Sequence, residues 1–406
     1  MSSAVRRIEA DLPDFRVAGL VVSEDARTIW VTATTPNRQG VVLKVPTFGA
    51  GDVTTTMIAD AAGAGANGAV AQGADIFERD LAPAQGLGPL FNGQACESCH
   101  NNSAGVEFDG GMGVSPDSFV VRIARVDHGQ FHLLPSHGPI ARQHSVAELG
   151  SPCGIPTGVP PQANATSIRS AMTLRGTSLL DNIRIGDIDQ VRLAQPPDVR
   201  GRLNMLEDGR FGRFGWKAQT ATLVEFIAEA FRDEIGSTNP LALRDLIKGC
   251  GASIDSPEAD AAPLTSVAAF LNTIDPPVPT AACLTSPGAA VFASVGCATC
   301  HTPTMFGPGS SGAVPTTIRP YSDLLLHDMG TGLADGFVQG SANGREFRTM
   351  PLWRVSDRRH FLHDGRAATI LDAIMAHGGQ AAPALAAFIA LSPANRQALL
   401  DFLNCI

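Results

Sequence analysis

The stretches CESCH, Cys96 to His100, and CATCH, Cys297 to His301, are two copies of one pattern, CxxCH. Two thiols at this spacing can add across the vinyl groups of a haem, and the adjacent histidine then reaches the iron from the proximal side. A lone CxxCH could also be half of a zinc site or a redox dithiol. Because both copies place His directly after the second Cys, the sequence predicts two covalently bound c-type haems.

The composition agrees with a core filled partly by something other than side chains. The 406 residues include 42 Gly and 28 Pro, which favours short helices joined by long ordered loops. A net charge of −9 without a long Lys or Arg run argues against nucleic acid or an anionic membrane as a partner. No apolar run reaches the length of a membrane span. The start, MSSAVRRIEADLPDF, is not a signal peptide, so either one has been removed or the chain begins inside a longer protein.

The surroundings of the two motifs repeat as well. Phe91 and Phe292 each lie five residues before the first cysteine of a motif. FLNTI, Phe270 to Ile274, recurs as FLNCI, Phe402 to Ile406, and each reads as the last helix of a cytochrome c domain. The Pro-rich DPPVPT, Asp275 to Thr280, is therefore the predicted domain boundary.

The expected fold is mainly α with long loops, and consists of two cytochrome c-type domains in tandem after a small β segment. The first haem domain is predicted at 73–275 and the second at 281–406. Residues 1–58 alternate apolar and polar residues in three short runs, which resembles one blade of a β-propeller, with a plain β-hairpin extension as the alternative. Residues 59–72 are predicted to be a linker.

Four cysteines remain outside the motifs. Cytochrome c maturation takes place outside the cytoplasm, where disulfides persist, so a periplasmic or secreted location in a bacterium is expected. Cys283 and Cys405 suit one bridge, which leaves Cys153 to pair with Cys250. Four cysteines allow three connectivities, and buried free thiols are the alternative.

Four longer motifs, the first of which contains CESCH, carry a family resemblance. They are GLGPLFNGQACESCHNN at 86–102, DGRFGRFGWKAQ at 208–219, PYSDLLLHDMGTGLADG at 320–336 and FRTMPLWRVSDRRHFLHDGRAATILDAIMAHGGQA at 347–381. In this order they resemble the bacterial di-haem c-type oxidoreductase family, whose members are described as peroxidase-like or thiol-oxidoreductase-like. That family is similar to the di-haem cytochrome c peroxidases. The resemblance covers about 73–406 and implies a calcium ion between the domains, for which the sequence names no ligands.

The resemblance also implies the ligands of the second haem. In the related peroxidases a methionine lies fourteen residues after the His of a similar HDG motif and ligates the second haem. Here the HDG histidine is His363, and the residue fourteen positions later is His377. The second haem is therefore expected to be bis-histidine, with His301 and His377 as axial ligands. His327 is the alternative ligand, and His363 is expected to order the domain interface or a haem propionate.

An internal overlay addresses the distal side of the first haem, the one bound by Cys96, Cys99 and His100. Residues 216–230 can be laid over 363–377 with an offset of 147. Trp216 then falls on His363, and Ala230 falls on His377. An alanine cannot ligate iron, so the first haem is expected to have an open or water-filled distal position.

Side chains near Ala230 are the candidate catalytic residues. Asp233 and Glu234 follow Ala230 by three and four residues, so they are expected on the same helix face as Ala230 and are candidate proton carriers. Trp216 could carry oxidising equivalents between the haems, although a core aromatic is an equal alternative. Phe226 and Phe231 are expected to line an apolar pocket.

Two further groups of side chains stay ambiguous at the sequence level. The first group consists of four histidines, which are expected at the surface, although His144 could approach the first haem. The second group consists of four arginines, which are expected either in a solvated loop or in contact with haem propionates. The two groups are His128, His132, His137 and His144, and Arg200, Arg202, Arg210 and Arg213.

Three classes of function fit these features. The first is a peroxidase-like di-haem oxidoreductase that uses hydrogen peroxide and an electron-donor protein. The second is an electron-transfer cytochrome without a substrate. The third is a haem-dependent oxygenase of an organic substrate. An open first haem separates the first and third classes from the second. The CxxC pairs do not support thiol oxidoreductase activity, because haem attachment would use all four of their thiols.

Overall fold

The protein is described by a computed structural model that covers most of the chain from residue 66 and four strands before it. Side chains are described from residue 68. His137, Cys153 and Cys250 lie outside the described residues, so the predicted Cys153–Cys250 pair stays a prediction. The described ranges are 16–22, 28–34, 40–46, 56–57, 66–100, 119–132, 134, 138–152, 154–242, 259–307 and 316–406.

Short helices and short strands alternate along the whole chain. The strands are β1 (Arg16–Val22), β2 (Thr28–Thr34), β3 (Gly40–Pro46), β4 (Thr56–Met57), β5 (Leu90–Phe91), β6 (Phe119–Asp127), β7 (Gln130–His132), β8 (Ile140–Ala141), β9 (His144–Ser145), β10 (Ala165–Ser170), β11 (Asn204–Met205), β12 (Phe211–Gly212), β13 (Met305–Gly307), β14 (Thr316–Ile318), β15 (Leu326–Asp328) and β16 (Glu346–Arg348). The helices are α1 (Ala66–Glu78), α2 (Thr177–Asp181), α3 (Ile185–Ala194), α4 (Leu223–Asp233), α5 (Ala261–Leu271), α6 (Ala281–Leu284), α7 (Pro287–Ser294), α8 (Ile370–Met375), α9 (Ala382–Ile389) and α10 (Pro393–Leu403).

The strands form small antiparallel sheets. Strands β1 to β4 make a meander in sequence order, which confirms the predicted β segment, while its assignment to a propeller blade stays a prediction. A second sheet has the order β10-β6-β7, with β8 also paired to β6. The other described pairs have two strands each, for example β15 with β16. None of the described helices is both long enough and apolar enough to cross a membrane.

The prediction of a mainly α fold therefore needs correction, because helices and small sheets share the described chain. The long loops that the Gly and Pro content predicted contain many of these strands, and several have only two or three residues. A strand that short shows no alternation of apolar and polar residues, so a sequence pattern cannot reveal it.

In the part of the chain before the predicted boundary at 275–280, called the first half below, α1 and α5 cross at a glycine. The part after this boundary is called the second half. A Cβ added to Gly73 would lie 1.9 Å from the carbonyl oxygen of Ser266 and 2.8 Å from Cβ of Phe270, so only glycine allows this approach. One turn further along α1, Phe77 packs on Phe270 with ring centroids 5.3 Å apart. The crossing lies in the main apolar core, which includes Leu264 and Val267.

The second half repeats this crossing between α7 and α10. A Cβ added to Gly288 would lie 1.9 Å from the carbonyl oxygen of Ala398 and 2.7 Å from Cβ of Phe402. Phe292 packs on Phe402, again with centroids 5.3 Å apart. The counterpart of Phe292 is therefore Phe77, and the sequence pairing with Phe91 was wrong. Phe91 lies in β5 and stacks on His144 instead.

A turn before α4 is also repeated before α8, at the offset of 147. Phe214 bridges to Thr220 in the first copy, and Phe361 bridges to Ala367 in the second. Thr222 then caps α4 by accepting a hydrogen bond from the Glu225 amide, as Thr369 caps α8 by accepting from the Asp372 amide. Ala230 and His377 therefore occupy equivalent places after equivalent turns.

A disulfide joins Cys283, in α6, to Cys405, just after α10, as predicted. It closes the core of the second half, in which Phe292, Phe388 and Leu399 are buried.

Candidate functional site

The two CxxCH motifs adopt the same local structure. A 3₁₀ turn spans Cys96–Ser98 in the first copy and Cys297–Thr299 in the second. The amide of His100 donates to the carbonyl of Cys96 at 3.0 Å, and that of His301 donates to Cys297 at 2.9 Å. This turn brings each histidine back beside its own pair of thiols.

The four thiols of the motifs form no disulfide. Burial raises the pKa of Cys96 to about 12 and that of Cys297 to about 11. Redox-active cysteines instead have lowered pKa values, because the thiolate is the reactive form. Cys96 and Cys297 are therefore poorly suited to attack in thiol–disulfide exchange, and all four sulfurs remain free of disulfides.

A large, mostly apolar cavity opens beside the first motif. The empty space of about 1580 Å³ includes the solvent at its mouth. Cys96, Cys99 and His100 form part of its wall, and α4 forms another part with Phe226, Ala230 and other side chains. The predicted pocket residue Phe231 also lines it.

The His100 ring is suited to be the iron ligand of a haem in this cavity. Its Nδ1 is buried and makes no hydrogen bond within the described part of the chain. Burial, with a smaller effect of Arg358, lowers the pKa of His100 to about 4, so the ring is neutral. A neutral imidazole is the form that binds a metal. The mostly apolar wall of the cavity, the paired thiols and this ring together fit a haem.

The candidate proton carriers Asp233 and Glu234 both line the cavity. Burial raises the pKa of Glu234 to about 7, although Asn92 donates a 2.9 Å hydrogen bond to its carboxylate. Burial acts on Asp233 too, but Arg232 at 2.7 Å outweighs it and keeps the pKa of Asp233 below its usual value. Only Glu234 of the two can exchange a proton near neutral pH.

Glu229 is a third carboxyl group in the cavity wall, and sequence reasoning missed it. It accepts a 2.9 Å hydrogen bond from the Thr220 hydroxyl, and burial raises its pKa to about 7. It lies next to Ala230 and four residues before Asp233, so the helical spacing of acidic residues could have revealed it. Glu229 and Glu234 thus give the site two groups that titrate near neutrality.

Trp216 lies in the cavity wall and also reaches the second half. Its indole N–H donates to the Ser170 carbonyl at 2.9 Å, which fixes the ring. The Trp216 and His363 rings meet edge to face, with centroids 6.4 Å apart. The equivalent positions of the internal repeat are therefore in contact.

Among the described residues three arginines line the cavity, and none belongs to the group that the sequence suggested: Arg122, Arg169 and Arg348. Arg348 is buried and donates to the carbonyls of Gly215 and Arg213 at 2.9 Å, with no carboxylate partner among the described residues. Nε of Arg122 makes no hydrogen bond to any described residue. These cations could bind the acidic groups of a cofactor.

The four arginines suggested earlier are bound to the protein itself. Arg200 and Arg213 donate to backbone carbonyls, Arg202 pairs with Glu346 at 2.6 Å, and Arg210 pairs with Asp208 and Glu225. Of the histidine group, His144 pairs with Glu148 at 3.0 Å and does not line the cavity. His128 and His132 are exposed, as surface residues would be.

At the second motif, His301 and His377 face each other. Their ring centroids are 6.5 Å apart. Two metal–nitrogen bonds of about 2 Å, with about 1 Å more from each nitrogen to its ring centre, span roughly 6 Å. Nδ1 of His301 lies 2.9 Å from the Tyr321 carbonyl and Nδ1 of His377 lies 2.7 Å from the Ala373 carbonyl, so each ring keeps Nε2 for an iron.

Burial keeps both of these rings neutral, because it lowers the pKa of His301 to about 4 and the pKa of His377 below its usual value. Met375, the last residue of α8, is 48% exposed. The spacing, the hydrogen bonds and the neutral rings fit a haem held from both faces.

His327, the alternative ligand, has both ring nitrogens engaged. Nε2 lies 2.8 Å from Asp323 and Nδ1 lies 3.7 Å from the Cys300 sulfur. Burial opposes a charge on this ring, but Asp323 and Cys300 outweigh it and raise the pKa of His327 to about 10. The ligand atoms of these three residues lie within 4.8 Å of one another, as in a metal site. One sulfur cannot be both a haem thioether and a metal thiolate, so the two uses exclude each other.

His363 is buried between the halves. It stacks on Phe347 with ring centroids 4.2 Å apart, and its carbonyl accepts from the Ser170 amide at 2.7 Å. Ser170 therefore contacts His363 and Trp216 at once. Burial, reinforced by Arg169, lowers the pKa of His363 to about 4.

Comparison with known proteins gives one family. Residues 207–406 match the family described as "Di-haem oxidoreductase, putative peroxidase". A search of curated proteins found no match. Among solved structures, Kuenenia stuttgartiensis hydrazine synthase pressurised with 20 bar xenon is 17% identical, with 59% of this chain and 73% of that chain covered. Its TM-score of 0.31 is too low to support an inference. Residues 207–406, just under half of the chain, thus match the di-haem oxidoreductase family that the sequence motifs indicated.

Proposed function

We propose that the protein is a peroxidase-like c-type oxidoreductase with two covalent haems, each in a cytochrome c-type half of the chain. The first would be attached through Cys96 and Cys99 with His100 as proximal ligand. The second would be attached through Cys297 and Cys300, with His301 and His377 on its two faces. The repeated helix crossings support two such halves, since the glycine and the phenylalanine pair recur in both.

One observation carries the proposal: equivalent turns lead to His377 in the second half and to Ala230 in the first. His377 lies opposite His301, whereas Ala230 lines the first cavity without an atom that can bind iron. The second haem would then be closed on both faces and suited to electron transfer. The first would have a distal position open to a small oxidant such as hydrogen peroxide.

When bound, the first haem would supply an iron that can react with peroxide. Glu229 and Glu234 would hold or release a proton in the cavity, because a general acid or base works best with a pKa near the operating pH. Asp233, held ionised by Arg232, would act on these carboxyls through its charge. Arg122 and Arg348 would pair with the propionates of the cofactor.

Trp216 is the side chain best placed to connect the two sites, because it lines the first cavity and contacts His363 of the second half. We expect reducing equivalents to come from an electron-donor protein. The Cys283–Cys405 disulfide supports a periplasmic or secreted location.

An oxygenase of an organic substrate is the second candidate, and the mostly apolar wall of the first cavity favours it. An electron-transfer cytochrome without substrate is the third, and it requires that both irons be closed. Reaction with peroxide in the absence of dioxygen distinguishes peroxidase from oxygenase.

Ligand binding to the reduced holoprotein tests the open first haem. We expect carbon monoxide to bind one haem of the wild type and none in Ala230→His, because the new imidazole would occupy the distal position. Ala230→Val is the matched control, since it adds bulk without a ligand atom and should still bind. A wild type with two low-spin haems that bind neither carbon monoxide nor cyanide would contradict the proposal and favour electron transfer alone.

A further inference from the structure

A buried lysine lies where the two halves meet. Lys217, in the turn before α4, has no solvent-exposed surface. Its ammonium group donates to the carbonyl oxygens of Asn343 and Glu346, both at 2.8 Å. Asp335 Oδ1 lies 3.2 Å away, and the ring of Phe347 has its centroid 4.1 Å away. All of these groups belong to the second half, so the lysine crosses the junction.

The groups around Nζ are those that recognise an ammonium ion. Three oxygens match the three N–H donors of an ammonium group, and an aromatic face attracts a cation. The oxygens are held without the lysine, since the Glu346 amide donates to the Asn343 carbonyl at 3.2 Å and the Phe337 amide donates to Asp335 at 2.9 Å. Asp335 also pairs with Arg169.

These oxygens suit calcium poorly. Calcium takes six to eight oxygen ligands at roughly 2.3–2.6 Å, usually from several carboxylates. Here one carboxylate and two carbonyls surround a position that Nζ already fills. The calcium ion that the family resemblance implied between the domains therefore does not fit this oxygen cluster.

The second half holds the same turn from the other side. Arg348 donates to the carbonyls of Arg213 and Gly215, and its amide donates to the carbonyl of Trp216 at 2.8 Å. Lys217 and Arg348 thus cross the junction in opposite directions, with Trp216 between their attachment points. Displacement of Lys217 would release one side of this turn.

We propose that the junction contains a binding site for a primary ammonium group, formed by Asp335, the Asn343 and Glu346 carbonyls and the face of Phe347, and that Lys217 is its built-in occupant. The lysine takes the structural role of a bound cation, and it positions the turn that carries Trp216. This inference does not depend on the redox chemistry of the haems.

The test uses urea unfolding of the holoprotein, followed by far-ultraviolet circular dichroism. Lys217→Ala removes the atoms of n-propylammonium and should lower the folding equilibrium constant roughly a hundredfold, because an unpaired buried site is costly. Added n-propylammonium should restore much of the unfolding midpoint, and tetramethylammonium, which has no N–H, should not. The wild-type midpoint should respond neither to n-propylammonium nor to EGTA.

Two matched variants complete the test. Lys217→Met keeps the side-chain volume, so it should be destabilised and should not respond to n-propylammonium; it also replaces Lys217→Ala if that variant does not fold. Arg184→Ala removes an exposed ion pair with Asp187 and should unfold as the wild type does. An unchanged midpoint in both Lys217 variants, failure of n-propylammonium to restore Lys217→Ala, restoration by Ca²⁺ alone, or loss of wild-type stability in EGTA would each overturn the proposal.

Discussion

At the scale of single residues, the pairing of His301 with His377 has the most direct chemical consequence. Their rings face each other, and carbonyl groups hold both Nδ1 atoms. Each imidazole is thereby oriented before a metal binds, which reduces the rearrangement that ligation requires. His327, with both nitrogens engaged, has no such freedom.

We predict that His377→Ala converts the second haem from low-spin to high-spin or water-ligated and leaves the first haem unchanged. Absorption and electron paramagnetic resonance spectra of the oxidised protein would show this change. His132→Ala, at an exposed position, should leave both haems as in the wild type. Survival of the low-spin signal in His377→Ala together with its loss in His327→Ala would contradict the assignment.

Sequence reasoning identified the cavity residues only in part. The repeat placed Trp216, Asp233 and Glu234 in the wall of one cavity, because helical periodicity fixes which residues share a face. It missed Glu229 and the arginines that line the cavity. Arg122 lies on β6 and Arg348 on β16, and sequence periodicity does not reveal how strands from distant parts of the chain come together.

At the scale of elements, the two helix crossings depend on glycine. Gly73 and Gly288 let one helix approach the backbone of another to a distance at which no Cβ fits. The sequence repeat predicted the last helix of each crossing from FLNTI and FLNCI. It chose Phe91 in place of Phe77, because the segment between α1 and the first motif is longer than its counterpart and linear spacing fails there.

We predict that Gly288→Ala lowers the free energy of unfolding by about 1–3 kcal/mol, because the added methyl group would force α7 and α10 apart. Urea unfolding of the holoprotein would measure the loss. Gly186→Ala is the control: Gly186 lies in α3 with open space around its Cα, so alanine should raise stability by about 0.5–1 kcal/mol there. Equal effects of the two substitutions would contradict the role of the crossing.

At the scale of the whole molecule, a CxxCH motif, a helix crossing at a glycine and a turn before a capped helix each occur twice along the chain, and the sites beside them differ. The two CxxCH motifs and the repeated terminal helix were visible in the sequence, because both are short and continuous. The small sheets between them could not be predicted, since their strands are short and their partners are distant in sequence. The Cys283–Cys405 bridge belongs to one of the three connectivities that four cysteines allow, and the structure contains this bridge.

We predict that the denatured protein retains the mass of two haems, because thioether bonds survive denaturation. Mass spectrometry of the wild type should show the apoprotein plus two haems. The double variant Cys96→Ala, Cys99→Ala should retain one haem, and so should Cys297→Ala, Cys300→Ala. A wild-type mass with one haem or none would contradict the proposed architecture.

The contact between Trp216 and His363 has a consequence for symmetry. These residues occupy the same position in the two copies of the repeated turn, and they touch each other. A position that meets its own copy is the mark of an isologous contact, which a two-fold axis produces in a homodimer. The two turns thus meet as identical subunits of a dimer would, although one chain contains both. This shared position carries an indole in one copy and an imidazole in the other. The two sides of the contact therefore differ chemically, which is impossible between two identical subunits.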